Sequence, residues 1–145
     1  MKGFRRYSFR YDIKDLSELV RRIRAHRAST RIVLVTLAGL FDWRVAPDAR
    51  AMRIAYPISS TQNLYAYSIL TRRYNEQLRE FARTAGIELV DFEQYAYEHF
   101  RPRSLYFDDS VHGADTTYAL IGALLADRVS RSPAAIEPVP FTSAR

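Results

Sequence analysis

The sequence contains no cysteine among its 145 residues, and it carries only two lysines, Lys2 and Lys14. Without cysteine the chain can form neither disulfides nor thiolate metal sites, so its composition leaves the redox compartment open. No apolar run approaches the roughly 20 residues that a membrane-spanning helix needs. Residues 1–10 are basic but hold no apolar core, which is not the pattern of a secretory signal. With neither feature, the default expectation is a cytoplasmic protein.

What the sequence does contain is typical of a soluble globular domain. Apolar residues make up 48% of the chain and charged residues 26%, close to the usual averages, which argues against general disorder. The length suits one domain with its own core. We predict such a domain over residues 1–131 and a flexible, proline-containing tail over residues 132–145.

Positive charge is concentrated at the amino end. The net charge is +6, and residues 1–31 hold ten lysines and arginines against three acidic residues. Such a segment attracts phosphate backbones, so one alternative is a non-catalytic basic module that binds nucleic acid or an acidic partner. No RNA-binding motif with interleaved aromatics and no recognition-helix pattern accompanies the charge. We therefore favour a solvated helix face and do not expect nucleic-acid binding.

The first part of the chain predicts a helix followed by a buried strand. Apolar residues recur every three or four positions over residues 12–28, and Asp12 suits the N-cap of this helix. Residues 31–37 form a continuous apolar, β-branched run, typical of a strand buried on both faces in a parallel sheet. Residues 38–60 are irregular. They could form a substrate wall or lid, or a surface excursion with its own small packing cluster.

A long helix and a second strand come next. Residues 61–85 repeat apolar positions at helical spacing, and Gly86 is placed to end the helix in a left-handed conformation. Residues 87–92 then read as a short strand. Asp91 lies where parallel-sheet proteins tend to hold site residues, but we favour a cap for the following turn. This alternation of helices and strands predicts an α/β protein.

The last third of the chain predicts two helices with a polar loop between them. Residues 94–100 suit a short aromatic-rich helix, and residues 115–131 suit an amphipathic closing helix that Asp115 can cap. In the loop, Asp109 and His112 are three residues apart. A carboxylate that steadies an imidazole makes up two of the three parts of a relay that activates a hydroxyl nucleophile. The structural alternative is a helix-entry cap beside a surface histidine.

The same region offers oxygen and nitrogen ligands for a metal. His99, Asp108, Asp109 and His112 could together supply two imidazoles and two carboxylates. Their spacing matches no metal-binding motif, however, and isolated histidines more often have structural roles. We therefore predict neither a metal site nor a cofactor.

The order of these parts resembles the carboxyl-terminal portion of an SGNH/GDSL hydrolase. The resemblance covers most of residues 12–131. Its pieces are the helix at residues 12–28, the strand Ile32–Leu37, the segment Tyr74–Ala82, the strand Gly86–Asp91, and Asp109-Ser110-Val111-His112 ahead of the last helix. Each piece alone is weak, so the resemblance depends on their order and spacing together.

This resemblance implies a partial doubly wound, flavodoxin-like α/β fold: a three-layer sandwich with a short parallel sheet. It implies that His112 is the general base and that Asp109 orients it, with Asp108 as a less well-spaced alternative. The implied activity is serine-dependent hydrolysis of ester bonds, as in esterases, acylhydrolases and lipase-like enzymes. The implied substrate is a small-molecule ester.

The sequence departs from this family in two places. The glycine that often stands five residues after the histidine is replaced by Thr117, a change that concerns helix docking more than chemistry. No Gly-Asp-Ser or Gly-x-Asn-Asp block occurs, and Ser8, Asn63 and Asn75 lie in other contexts. We therefore expect the carboxyl-terminal part of such a hydrolase, inactive alone and completed by an upstream segment. Its exposed sheet edge would favour self-association.

Overall fold

The computed structural model describes residues 13–55 and 61–131, with the backbone alone for residues 61–66. The predicted cap at Asp12 and the predicted tail at residues 132–145 lie outside this part of the chain. They therefore stay predictions, as does the domain boundary between the globular part and the tail.

The chain divides into two compact units, of which the first is residues 1–32. Its described helix, α1, spans Ile13–His26, as the apolar spacing predicts. Glu18 accepts hydrogen bonds within this helix from Nε of Arg21 at 2.7 Å and from Nε of Arg22 at 2.8 Å. Two arginines of the basic segment therefore have an acidic partner on their own helix.

The second unit, residues 33–145, is mostly helical and contains a two-stranded parallel sheet. Its described elements are β1 (Val33–Val35), α2 (Ala49–Ile54), α3 (Thr61–Ala85), β2 (Glu88–Val90), α4 (Phe92–His99), a 3-10 turn (Arg103–Leu105) and α5 (Asp115–Ser130). In the sheet Val33 lies opposite Glu88, and Val35 lies opposite Val90. Both strands are shorter than predicted, but the arrangement is consistent with the partial α/β sandwich that the sequence indicates.

The core of this unit joins the segment after β1 to α2, α4 and the loop before α5. Its buried members are Leu40, Ala51, Phe92, Ala96, Phe100 and Phe107. The ring of Phe100 stacks on that of Tyr106, with the ring centroids 3.9 Å apart. Burying a large apolar side chain stabilises a fold by about 1.5–3 kcal/mol. The aromatic cluster therefore holds α4 firmly against the loop that contains Asp109 and His112.

The end of α3 confirms the prediction made for Gly86. This glycine has a φ of 59°, which is a left-handed conformation. Glycine adopts it at little energetic cost because it has no Cβ. Ile87 N then donates to Ala82 O at 2.8 Å, closing the last turn.

Although α3 has 25 residues, no helix among residues 13–55 and 61–131 is both long and apolar enough to cross a membrane.

The helix α4 begins earlier than predicted, at Phe92 instead of residue 94. The reason is Asp91, whose side chain accepts a hydrogen bond from Gln94 N at 3.2 Å and so caps the first turn. The interpretation of Asp91 as a cap is confirmed.

The prediction that Asp115 caps α5 is wrong. The N-cap position is held by Ala114, which makes no side-chain cap, and Asp115 is the first helical residue. Ala114 is fixed there because its backbone N–H donates to Tyr106 O at 3.0 Å, while its own carbonyl accepts from Thr117 N at 2.8 Å. Asp115 places its negative charge in the first turn, where the helix dipole favours it.

The irregular stretch at residues 38–60 contains a short helix, α2, that the sequence did not predict. Its one local signal is Asp48, which follows Pro47 and accepts a hydrogen bond from Ala51 N at 2.8 Å. The helix has only six residues. A helix of that length spans less than two turns, too few for an apolar period to appear.

The segment after β1 is fixed by Asn75 of α3, for which the sequence suggested no role. The buried Asn75 amide accepts from Leu37 N at 2.8 Å and donates to Leu37 O at 2.7 Å. Thr36 N bonds to Val90 O in β2, and successive residues of a strand direct their backbone groups to opposite edges. Asn75 therefore occupies the edge opposite β2. Self-association through the rest of that edge stays a prediction.

Candidate active site

Residues 106–114 form a closed loop ahead of α5. Phe107 and Gly113 pair across it as an antiparallel bridge. Inside that bridge, Asp108 N donates to His112 O at 2.9 Å. The chain therefore turns back on itself between residues 108 and 112, and this turn brings Asp109 next to His112.

Asp109 accepts three hydrogen bonds in this loop. Its Oδ1 accepts from Val111 N at 2.7 Å and from His112 N at 2.8 Å, and its Oδ2 lies 2.6 Å from His112 Nδ1. The backbone N–H groups of His112 and Val111, followed by the His112 ring, lower the pKa of Asp109 to about 2. The carboxylate is therefore ionised at neutral pH and can only accept hydrogen bonds.

His112 presents its ring to solvent, with 70% of its side chain exposed. Because ionised Asp109 has no proton to donate, the proton in the short contact belongs to Nδ1 of the imidazole. A neutral ring then has an unprotonated Nε2, which can accept a proton. Asp108, the alternative carboxylate, bonds to His112 through its backbone N–H.

Thr117 ties this loop to α5. It is buried, and its Oγ1 donates a hydrogen bond to Tyr106 O. Gly113 packs directly on it: a Cβ added at Gly113 would lie 2.8 Å from Thr117 Cγ2, closer than side chains tolerate. The departure from the family pattern at Thr117 therefore affects how α5 docks on the loop, and leaves the contact between Asp109 and His112 in place.

The loop is also joined to the segment that follows β1. Leu40 N donates to Ser110 O at 3.2 Å, and Gly39 lies so close that a Cβ there would be 3.1 Å from the same oxygen. Arg103 binds the other side of this segment: its Nε donates to Leu40 O at 3.1 Å and its Nη2 to Gly39 O. Burial lowers the pKa of Arg103 to about 10, against the opposing effect of Asp42, so it is charged at neutral pH.

A separate polar network closes the carboxyl ends of the two strands. Arg79 donates to Asp91 Oδ2 at 2.7 Å and to Glu93 Oε2 at 2.6 Å. Thr36 Oγ1 donates to Asp91 Oδ1 at 3.0 Å and accepts from Glu93 N at 2.9 Å. Burial acts to raise the pKa of the Asp91 carboxyl. The hydrogen bond from Arg79 and the other donors outweigh burial, so the pKa of Asp91 lies below its ordinary value. The network holds α3 to the strand ends.

The alternative metal site is not assembled. Within the described ranges, no three histidine, cysteine or acidic side chains come together as ligands. His99, one member of that set, instead packs on Tyr95, with the ring centroids 4.4 Å apart. Ser8 lies outside the described residues and the side chain of Asn63 is not described, while Asn75 is bound to Leu37.

The depressed pKa of Asp109 predicts a pH dependence. We expect its carboxyl to titrate near pH 2, below the ~3.9 of an unperturbed aspartate. Because the folded-state pKa is lowered, the stabilisation is fully present above about pH 4 and is lost as the pH falls towards 2. Carboxyl ¹³C NMR measures this midpoint. The variant His112→Ala should raise it, because the ring donor is removed while the backbone donors stay; an unchanged midpoint would contradict the contact.

No curated protein and no solved structure gives a significant match to this chain. The family model described as the GDSL-like Lipase/Acylhydrolase family matches residues 3–120, well over half of the chain. The matched range contains β1, β2 and the loop with Asp109 and His112, and it ends inside α5. This match confirms the family that the sequence resembles: the chain belongs to the GDSL-like Lipase/Acylhydrolase family.

Proposed function

We propose that Asp109 and His112 are the acid–base half of a Ser-His-Asp site that hydrolyses ester bonds. The observation that carries this proposal is the 2.6 Å contact between Asp109 Oδ2 and His112 Nδ1, on a largely exposed ring. Nε2 of His112 takes the proton of the serine hydroxyl as its oxygen attacks the ester carbonyl. The Asp109 carboxylate stabilises the imidazolium that forms.

The same pair completes the reaction. His112 gives its proton to the departing alcohol oxygen, which leaves an acyl-serine. It then takes a proton from water, whose oxygen attacks the acyl carbonyl, and it returns that proton to the serine as the acid is released. Asp109 stays ionised throughout, because its pKa of about 2 lies far below neutral pH.

The serine is proposed to come from chain outside the 145 residues. These residues contain no Gly-Asp-Ser and no Gly-x-Asn-Asp block, the motifs with which the family supplies its nucleophile and oxyanion donors. Loss of the nucleophile or of oxyanion donors lowers the rate of a serine hydrolase by orders of magnitude. The 145-residue chain alone is therefore expected to be inactive, and the completed protein acts on a small-molecule ester.

The test is ester hydrolysis by two lengths of the protein. p-Nitrophenyl acetate is assayed with the 145-residue chain and with a longer form whose upstream codons supply a serine block. We expect buffer-level rates for the first and clear turnover for the second, because only the second has a nucleophile for His112. If the 145-residue chain hydrolyses the ester and His112→Ala abolishes that activity, the proposal that the serine lies outside these residues is wrong. Upstream codons that encode no serine block would also overturn it.

A further inference from the structure

An open pocket of about 500 Å³, a volume that includes the solvent at its mouth, lies between the segment after β1, the start of α2 and the residues around Pro102. The apolar part of its lining is Leu40, Phe41, Val45, Ala46, Pro47, Ala51 and Pro102. Leu40 is the residue whose N–H is bonded to Ser110 O, one position from Asp109. The pocket is therefore connected to the Asp109–His112 loop through Leu40, and its wall is apolar enough to take an aliphatic chain.

The pocket is also lined by a buried cation, Arg103. Its guanidinium donates to the carbonyls of Leu40, Ala96 and Gly39. The carboxylate of Asp42 lies 3.9 Å from it, but both oxygens of Asp42 are already bonded to Arg44, at 2.9 and 2.7 Å. Arg103 therefore shares its carboxylate with a second arginine.

A second cation in the lining, Arg101, is exposed to solvent. One of its N–H groups donates to Phe100 O at 2.8 Å, and a guanidinium carries five. Asp48 is the acidic residue of this lining, and it is engaged as the cap of α2. Two cations and one capped carboxylate favour a singly charged anion, and the planar fork of arginine matches a carboxylate.

We propose that this pocket binds an apolar chain that ends in a carboxylate, with the chain along the apolar wall and the carboxylate on Arg101. As a subsite of the neighbouring active site it selects esters that carry a second, free carboxylate on an aliphatic chain. That assignment rests on the proposed function, whereas binding of the carboxylate does not. Ligand binding is therefore measured without hydrolysis. A failure of carboxylate binding and a failure of the proposed ester hydrolysis can then be told apart.

The experiment titrates the 145-residue chain with octanoate, octan-1-ol and acetate and follows tryptophan fluorescence. Trp43 is the one tryptophan of the chain. It does not line the pocket itself, but in the sequence it stands between Phe41 and Val45, which do. We expect octanoate to bind about tenfold more tightly than octan-1-ol, the factor that one charge-assisted hydrogen bond supplies, and acetate to bind least. Equal affinities for octanoate and octan-1-ol, or binding of neither, would overturn the proposal.

Three variants locate the binding. Arg101→Met removes the exposed charge and should weaken octanoate about tenfold while leaving octan-1-ol unchanged. Arg53→Met is the matched control, since Arg53 is exposed on α2 and is not part of the lining. An equal loss in both variants would show an effect of net charge and overturn the proposal. Val45→Phe fills the pocket and should weaken both eight-carbon ligands; undiminished binding would place the ligand elsewhere.

Discussion

Replacing His112 with alanine in a form that carries the serine block is expected to lower kcat for p-nitrophenyl acetate about a millionfold, as loss of the base does in a serine hydrolase. Without Nε2 the serine hydroxyl keeps its proton and attacks only very slowly. Asp109→Asn should cost about 10⁴-fold, because an amide holds the imidazole in the wrong tautomer. The structural reason is the 2.6 Å contact between Asp109 Oδ2 and His112 Nδ1.

The matched control for this series is His99→Ala. His99 is also exposed, but it lies on α4, where it packs on Tyr95. Its replacement should leave hydrolysis unchanged. A loss of less than about tenfold in His112→Ala would mean that this histidine takes no part in the chemical step, because a missing general base alone costs about 10²–10⁴-fold.

The largest expected effect on stability comes from Arg103→Met. This arginine is 5% exposed and donates to the carbonyls of Gly39, Leu40 and Ala96. Methionine fills much of the same space but removes a donor from all three carbonyls. Ala96 O keeps its bond from Phe100 N, and Asp42 keeps Arg44, so the loss falls on the carbonyls of Gly39 and Leu40. Each buried acceptor that loses its partner costs about 1–3 kcal/mol, so we expect a loss of roughly 2–5 kcal/mol, a large share of a total stability of about 5–15 kcal/mol.

Urea unfolding of the 145-residue chain, followed by circular dichroism, measures this loss. Arg50→Met is the control, because Arg50 is exposed on α2, and surface substitutions usually change stability by no more than ~0.5 kcal/mol. Arg103→Lys should fall between the two, since lysine keeps the charge but lacks the planar fork that contacts several carbonyls at once. A change below about 1 kcal/mol in Arg103→Met would contradict the role assigned to these contacts.

The features that could be predicted from the sequence are those decided by neighbouring residues. The apolar spacing of α1 and α3 depends only on the helical period, and Gly86 ends α3 because a glycine tolerates a positive φ. The pairing of Asp109 with His112 belongs to the same class, since the two residues are three positions apart in one loop. Local chemistry was enough to bring them together.

The features that could not be predicted depend on contacts between distant parts of the chain. Asn75 binds Leu37 across 38 positions, and Arg103 binds Gly39 across 64. Nothing in the local sequence of Asn75 or Arg103 indicates such a partner, so neither was assigned a role. The cap of α5 was predicted wrongly for a different reason: the bond from Ala114 N to the Tyr106 carbonyl closes the loop and fixes Ala114, and not Asp115, at the helix start.

The proposed site depends most on the proton between Asp109 and His112, and ¹⁵N NMR of the His112 ring observes it directly. The measurement is made on the 145-residue chain at about pH 8, where an ordinary histidine is neutral. We predict a ring protonated on Nδ1 and unprotonated on Nε2, and a shift of this proton to Nε2 in Asp109→Asn. A ring protonated mainly on Nε2 in the unmodified chain, or the same tautomer in both proteins, would contradict the account.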